Sequence, residues 1–127
     1  MTTQSSNNPV GWFEIGAADP EAARRFYGDV FGWTFEMQGS YSIITTGEGH
    51  ALQGGIQSTR DPLPEGTPHQ YAVFCLQVPD TAAACARVEA GGGKVLVGCT
   101  DTPMGLTYAH VADPDGNHFG LFTPPAQ

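Results

Sequence analysis

The stretch that decides the fold is WFEIGAADPEAARRFYGDVFGW, residues 12–33, because it recurs without a gap as VFCLQVPDTAAACARVEAGGGK, residues 73–94. Few residues are identical between the two copies, but their chemical roles agree. Each copy opens with residues that alternate as in a β-strand, and an aspartate then precedes a run with helical periodicity. The repeat therefore predicts two copies of one supersecondary unit.

Each copy also carries signals for where its helix begins and ends. Asp19 and Asp80 are predicted to cap the helix N-termini, and Gly32 and Gly91 are predicted to end the helices in the left-handed conformation. The predicted apolar stripe of the first helix consists of Ala22, Ala23, Phe26, Tyr27 and Val30. The strand residues predicted to point to the helix-covered face are Phe13, Ile15, Phe74, Leu76 and Val78.

Three short stretches of strand character follow each helix, separated by Gly, Pro, Asn or Asp. The fold class is thus α+β, with two βαβββ modules whose faces left uncovered by the helices join into a cleft. We place module 1 at about residues 9–58, a linker at 57–68 and module 2 at about 69–124, within a single domain of residues 9–125. Residues 1–8 are predicted to form a flexible tail, because they are polar and show no apolar period.

Composition limits the classes of partner. The 127 residues include five Lys and Arg against thirteen Asp and Glu, for a net charge of -8. This charge repels both nucleic acid and anionic bilayers, so neither partner is expected. The chain shows neither a secretory signal nor an apolar run of about 20 residues, which favours a cytoplasmic location. Its three cysteines lack CxxC spacing, and we interpret them as reduced thiols.

The chain resembles the vicinal oxygen chelate superfamily, the group of glyoxalases, bleomycin-resistance proteins and ring-cleaving dioxygenases. The resemblance extends from about Val10 to Pro124. Its carriers are FEIGAADPEAARRFYGDVFGW (13–33), GGI (54–56), VPDTAAACARVEAGGGKV (78–95) and ADPDGNHFGLF (112–122). It implies paired βαβββ modules in a curved mixed sheet with a cleft, and frequently a homodimer.

Catalytic members of this family hold one divalent metal. Their ligands are a residue, usually His, at the start of the first strand of each module and a carboxylate, usually Glu, in its last strand. The matching positions here are Trp12, Val73, Gly55 and Gly120, and none of them can bind a metal. A register slip would offer only Glu14, Gln53, Tyr71 or His118, a poor set for a tight site. We therefore predict no metal and no other cofactor.

Strand alternation indicates which side chains face the cleft instead. The predicted ligand-binding residues are Trp12, Glu14, Gln53, Tyr71, Cys75, Tyr108, His110, His118 and Phe122. A five-residue loop at 113–117 is predicted to set His110 opposite Gly120, where the imidazole could fill the volume of the missing carboxylate. If the protein is catalytic, Glu14 and His110 are the candidate acid or base. The loops at residues 37–50 and 98–106 have no pattern from which a conformation can be predicted.

Three functions are compatible with this cleft. The first is metal-independent binding of a small molecule, such as an antibiotic or a planar aromatic metabolite that the protein sequesters. The alternative is a glyoxalase-like lyase, isomerase or dioxygenase with a non-standard metal site or none. The third is a regulatory domain whose cleft is filled by its own side chains. We expect the first, with a small-molecule ligand and a homodimeric assembly.

Overall fold

The computed structural model describes residues 7–49 and 52–125. Most of the predicted tail at residues 1–8 lies outside the described residues, as does the last residue of the loop at 37–50. Within the described part, neither helix is long and apolar enough to cross a lipid bilayer.

The described residues form two compact units. The N-terminal unit lies within residues 11–74, and the C-terminal unit within residues 75–125 together with residues 7–10. The elements in chain order are β1 (Val10–Ala17), α1 (Pro20–Phe31), β2 (Thr34–Gln38), β3 (Tyr41–Thr45), β4 (Gly54–Ser58), β5 (Tyr71–Gln77), α2 (Thr81–Ala90), β6 (Lys94–Asp101), β7 (Thr107–Ala112) and β8 (His118–Thr123). This order confirms the α+β class and the twofold βαβββ pattern.

In the N-terminal unit the strand order is β2-β3-β4-β1, with β1 parallel to β4 and the other pairs antiparallel. The buried core of the unit consists of Ile15, Ile44 and Ile56. Ile15 lies opposite Ile56 in the parallel pair, so both side chains point to the same face. Tyr27 and other α1 residues pack on that face, which leaves the opposite face of the sheet for polar groups.

The ends of α1 follow the prediction, but its apolar stripe is only partly buried. Asp19 accepts a hydrogen bond from the backbone N–H of Ala22 at 3.1 Å, and Gly32 ends the helix at a φ of 77°. Phe26 and Val30 were predicted to cover the strand, but they are 54% and 57% exposed. The prediction was wrong for these two because the stripe is wider than the three-isoleucine core beneath it.

In the C-terminal unit the strand order is β5-β8-β7-β6, with β5 parallel to β8. Its buried core consists of Val78, Ala84, Ala109, Val111 and Leu121. The β7–β8 register sets His110 opposite Gly120, as predicted from the loop length. Leu76 packs against the core, but Phe74, predicted to point to the same covered face, is half exposed.

The end of α2 differs from the predicted stop. Asp80 caps the N-terminus as expected, with its carboxylate 3.1 Å from the N–H of Ala83. Gly91 has a φ of -86°, and the left-handed residue is Gly92 with a φ of 98°. The N–H of Gly93 then donates to the carbonyl of Val88. The stop therefore comes one residue later than predicted, because the three consecutive glycines leave its position open.

The cap of α1 can be tested alone. Asp19→Ala removes the acceptor for the Ala22 amide, and we expect it to lower the free energy of unfolding by about 1 kcal/mol. Asp19→Asn keeps an acceptor oxygen and should lose clearly less. Urea unfolding followed by circular dichroism measures both losses, and equal losses would contradict the capping role.

Candidate functional site

The face of the N-terminal sheet opposite α1 carries a buried carboxylate among aromatic side chains. Phe13 and Ile15 of β1 pack on the α1 side, so the side chain of Glu14 points to the other side. In the parallel pair Glu14 lies opposite Gly55, and Gly55 in turn pairs with Ile43 of β3. Trp12 and Glu14, two of the predicted ligand-binding residues, therefore lie on one face.

Glu14 is held by a chain of hydrogen bonds. The Tyr71 hydroxyl donates to Oε2 of Glu14 at 2.6 Å, and the Tyr41 hydroxyl donates to Oε1 at 2.9 Å. The indole N–H of Trp12 donates to the Tyr41 oxygen at 3.0 Å. We call these four residues the Glu14 cluster. Every donor in the chain points toward the carboxylate, which is the pattern that an ionised glutamate requires.

Two opposing effects act on the Glu14 carboxyl. Burial raises its pKa above the ordinary value of 4.5, while the hydrogen bonds from Tyr71 and Tyr41 lower it by a smaller amount. The residue as a whole is half-buried. Its carboxylate lies against Tyr41 and Tyr71, which keep water away from it. No ion pair to Glu14 is found among the described residues. The result is a carboxylate that takes up a proton more readily than a solvated one.

Two glycines make room for the tyrosines of the cluster. A Cβ on Gly55 would overlap the phenol of Tyr41, and a Cβ on Gly16 would overlap the ring of Tyr71. Gly55 is the carboxylate position of module 1 in metal-binding members of the resembled family. In this chain, that position is occupied by the phenol of Tyr41, which approaches from β3.

The C-terminal unit carries a pair of histidines on the face opposite α2, which we call the histidine pair. Nδ1 of His110 and Nε2 of His118 are 2.8 Å apart, which is hydrogen-bond distance. The ring of Tyr108 meets His110 edge to face at 5.7 Å between centroids. Phe122 lies opposite Tyr108 in the β7–β8 ladder. The structure thus places these four predicted residues on one face.

Neither imidazole of the histidine pair readily accepts a proton. Burial, together with the neighbouring His118, lowers the pKa of His110 from 6.5 to about 4. Burial also lowers the pKa of His118. The lowered pKa values fit a neutral pair. At the short distance between the two rings, the N–H of one imidazole donates to the unprotonated nitrogen of the other.

The space beside Gly120 is not filled as predicted. A Cβ on Gly120 would lie 2.8 Å from Sγ of Cys75, and the three atoms nearest to it belong to Cys75 and Ala109 rather than to His110. Cys75 lies opposite Gly120 in the parallel β5–β8 pair, so its sulfur occupies this position. The imidazole of His110 instead forms a hydrogen bond with the imidazole of His118.

Gln53 stands apart from the other predicted residues. It precedes β4, is exposed, and donates from its amide to the Thr45 hydroxyl at 3.3 Å. Sequence analysis also missed Tyr41, the central residue of the Glu14 cluster, which lies in a segment without a predicted conformation. The alternation of Tyr41, Ile43 and Thr45 ahead of the Gly-Gly pair is typical of a β-strand and could have identified Tyr41 as a residue on one face of the sheet.

The positions that hold a metal in the resembled family do not fit one here. Trp12, Val73, Gly55 and Gly120 supply no ligand atom. Among residues 7–49 and 52–125, no three His, Cys, Asp or Glu side chains are grouped so that they could hold a metal ion.

Two surface depressions lie away from these groups. One of about 290 Å³ is lined by linker residues between Thr59 and His69. The other, of about 200 Å³, lies between the end of α2 and the β7–β8 turn, with Arg87 and Asp113 in its lining. None of the nine predicted ligand-binding residues lines either depression.

The model of the glyoxalase/bleomycin resistance protein/dioxygenase superfamily matches residues 10–121. The chain belongs to this superfamily. The match includes both βαβββ modules and every predicted ligand-binding residue except Phe122. Superfamily membership therefore rests on the whole repeat and on no single motif.

Named relatives within the superfamily are distant. "Putative glyoxylase CFP32" of Mycobacterium tuberculosis is 30% identical over 87% of this chain and 44% of its own length. "Anthracycline biosynthesis protein DnrV" of Streptomyces peucetius is 27% identical over 96% of this chain and 49% of its own length. The chain thus spans about half the length of these two relatives. The solved structure of methylmalonyl-CoA epimerase from Mycobacterium tuberculosis matches with a TM-score of 0.59 and 16% identity, over 98% of this chain and 94% of that one.

The raised pKa of Glu14 predicts a specific pH dependence. Between pH 4.5 and the folded pKa, the native state binds more protons than the unfolded state, so the contribution of Glu14 to stability falls as pH rises. The stability of the wild type relative to Glu14→Gln should therefore be highest in acid and decline through this window. Urea unfolding of both proteins at a series of pH values measures the difference. A difference that grows as pH rises would contradict the burial of this carboxylate.

The histidine pair predicts the opposite slope. Because the pKa of His110 is lowered to about 4, the unfolded state binds the proton more tightly between about pH 4 and pH 6.5. Stability from this residue is complete above pH 6.5 and is lost as pH falls to about 4. An NMR titration of the imidazole protons should show His110 neutral at pH 5.5. A His110 midpoint near 6.5 would contradict the buried pair.

Proposed function

We propose that this protein binds a planar aromatic small molecule without a metal ion, through the aromatic side chains around Glu14. The observation that carries the proposal is the Glu14 cluster, in which Trp12, Tyr41 and Tyr71 surround one carboxylate. All three aromatic residues are half-buried, so part of each remains available to a ligand. Binding proteins need no stabilisation of a transition state, and the loss of the family metal does not impair them.

Aromatic stacking supplies enough free energy for this function. A ring that covers about 200 Å² of surface contributes a few kcal/mol at about 25 cal/mol per Å², before ordering costs. Micromolar affinity needs about 8 kcal/mol, which two stacked rings and one polar contact can approach. Because the tyrosine hydroxyls are fixed by Glu14, little side-chain freedom remains to be lost on binding.

Charge narrows the class of ligand. Glu14 accepts one hydrogen bond on each oxygen, and a carboxylate oxygen can accept more than one, so a ligand hydroxyl or ammonium group can donate to it. The net charge of -8 opposes anionic ligands and favours neutral or cationic ones. A coenzyme A ester, with its several phosphate charges, is therefore a less suitable ligand than a neutral polyphenol or an aromatic amine.

The name of one relative supports this class of ligand. DnrV is named for anthracycline biosynthesis, and anthracyclines are planar aromatic compounds with hydroxyl and amino groups. The similarity of 27% supports an aromatic ligand for this chain, although the relative is about twice as long. In the C-terminal unit, we propose that Tyr108, His110, His118 and Phe122 form a second ligand-contacting face of the same aromatic and polar character.

The remaining predictions concern the class of partner, the homodimer and two further ligand contacts. The acidic balance supports a small-molecule partner over nucleic acid or a membrane surface. The cytoplasmic location stays a prediction. The homodimer implied by family resemblance stays a prediction, as do Gln53 and Cys75 as ligand contacts. Gln53 reaches a ligand only if the ligand extends beyond the Glu14 cluster to the exposed start of β4.

A glyoxalase-like lyase, isomerase or dioxygenase is the second candidate, and the raised pKa of Glu14 favours it. A carboxylate whose pKa lies closer to neutrality is a more effective general base or acid. CFP32 is named as a glyoxylase, and the fold is shared with an epimerase. Turnover would then depend on Glu14, whereas binding alone depends mainly on the surrounding rings.

Fluorescence titration with doxorubicin, an anthracycline, and with quercetin, a neutral polyphenol, tests the leading proposal. We expect micromolar dissociation constants that do not change after dialysis against EDTA, and weak or no binding of methylmalonyl-CoA. Trp12→Ala should weaken binding at least tenfold, about 1.4 kcal/mol. Phe26→Ala, an exposed aromatic residue of α1, is the matched control and should leave affinity unchanged.

Three outcomes would contradict the proposal. Absence of binding by both planar compounds would favour a cleft filled by the protein's own side chains. Binding that disappears with EDTA would require a metal. Turnover of the hemithioacetal of methylglyoxal that Glu14→Gln abolishes, while aromatic binding persists, would establish the enzyme instead.

A further inference from the structure

Two cysteines of the C-terminal unit lie on elements that pack together. Cys85 is half-buried on α2, and Cys99 is exposed on β6. Helix α2 packs against β6. The third cysteine, Cys75, is buried in β5 with its sulfur beside Gly120. Cys85 and Cys99, which we call the thiol pair, have no role in the proposed ligand site.

The strand register directs Cys99 toward α2. Residues 98 and 99 of β6 stand opposite the single residue Ala109 of β7, which makes a β-bulge. Ala109 belongs to the core cluster under α2, and Cys85 packs against the same cluster. Residues opposite each other in a ladder point to the same face, so the bulge presents Cys99 on the side of the sheet that carries Cys85.

The electrostatic interaction between the two thiols is consistent with this placement. Burial is the main cause that raises the pKa of Cys85, and the thiolate of Cys99 is the next. For Cys99, burial, Asp101 and Asp80 raise the pKa. A charge acts on a neighbouring thiol in this way only over a short distance. Cys99 is the more exposed of the two thiols, so a dissolved oxidant reaches it first.

We propose that Cys85 and Cys99 form a reversible intramolecular disulfide bond that joins α2 to β6 when an oxidant such as hydrogen peroxide is present. The bond requires Cα atoms about 4.4–6.8 Å apart, and the bulge is the part of the strand that can adjust to this distance. A Cβ on Gly98 would meet nothing within 4 Å, so no side chain packs against the strand beside Cys99 at this point.

The reaction balances with peroxide as the two-electron oxidant. The Cys99 thiolate attacks one peroxide oxygen, the O–O bond breaks, and the leaving hydroxide is protonated to water, which leaves a sulfenic acid. The sulfur of Cys85 then attacks the sulfenic sulfur, the S–S bond forms, and a second water leaves. Two thiols are oxidised and one peroxide is reduced. Because raised pKa values keep both thiols protonated at neutral pH, oxidation should accelerate as pH rises.

The effect of the bond would fall on the strands that carry the histidine pair. The bulge in β6 lies between the pairs Val97 with His110 and Thr100 with Tyr108. A covalent link at Cys99 would fix this part of the ladder against α2. The bond closes a loop of about 15 residues and thereby restricts the unfolded chain, so it should raise the melting temperature by several degrees.

Mass spectrometry of the intact protein tests the proposal directly. After peroxide treatment at pH 8.5, we expect a monomer lighter by about 2 Da, with the mass restored by dithiothreitol. Trypsin leaves Cys75 and Cys85 together in residues 61–87 and Cys99 in residues 95–127. The Cys75→Ala variant is therefore needed to assign the linkage, and in it these two peptides should be joined.

Two further variants keep the result decisive. Cys99→Ala changes an exposed residue, so the variant should fold, and it should show neither the mass loss nor the rise in melting temperature on oxidation. Cys85→Ala should behave in the same way. Oxidation that yields only sulfinic or sulfonic acids, only disulfide-linked dimers, or an internal bond that survives in Cys99→Ala would overturn the proposal.

Discussion

A carboxylate that is buried against aromatic rings must find hydrogen-bond donors, and the arrangement of the N-terminal unit follows from how Glu14 finds them. Tyr41 and Tyr71 supply one hydroxyl each, and both rings reach the carboxylate only because Gly16 and Gly55 lack side chains. The same glycine that removes the metal ligand of the superfamily thus admits the phenol that replaces it. Backbone positions without side chains are here the condition for an aromatic, hydrogen-bonded site.

The two modules differ in the side chains that lie at the equivalent glycine positions. In the C-terminal unit, the space beside Gly120 is filled by the sulfur of Cys75, and the nearby polar groups are the paired imidazoles of His110 and His118. A small soft atom and a neutral pair replace the phenol and the charged carboxylate. In both modules, the glycine at the position of the family's metal ligand lies next to a side chain of this protein, Tyr41 in the N-terminal unit and Cys75 in the C-terminal unit. The repeat therefore preserves the scaffold while the two faces differ in their chemical groups.

Much of the fold follows from local signals, and the failures have physical causes. Asp19 and Asp80 cap their helices as expected, because a cap depends only on the residues of one turn. The pairing of His110 with Gly120 follows from the length of one loop. The exposure of Phe26 was not predictable, because a helical stripe does not reveal how wide a surface the sheet offers. Tyr41 was missed because its partners lie far away in the chain.

The sequence by itself determined the twofold βαβββ repeat, the helix caps and the loss of all four metal-ligand positions, since each depends on spacing or on a single residue type. Only the tertiary structure decided what fills the vacated space: Tyr41 beside Gly55 and Cys75 beside Gly120. Sequence patterns specify which face a side chain occupies, but not which distant residue lies against it. That choice is made by strand register and by close packing, which bring together atoms whose positions in the chain share no local pattern.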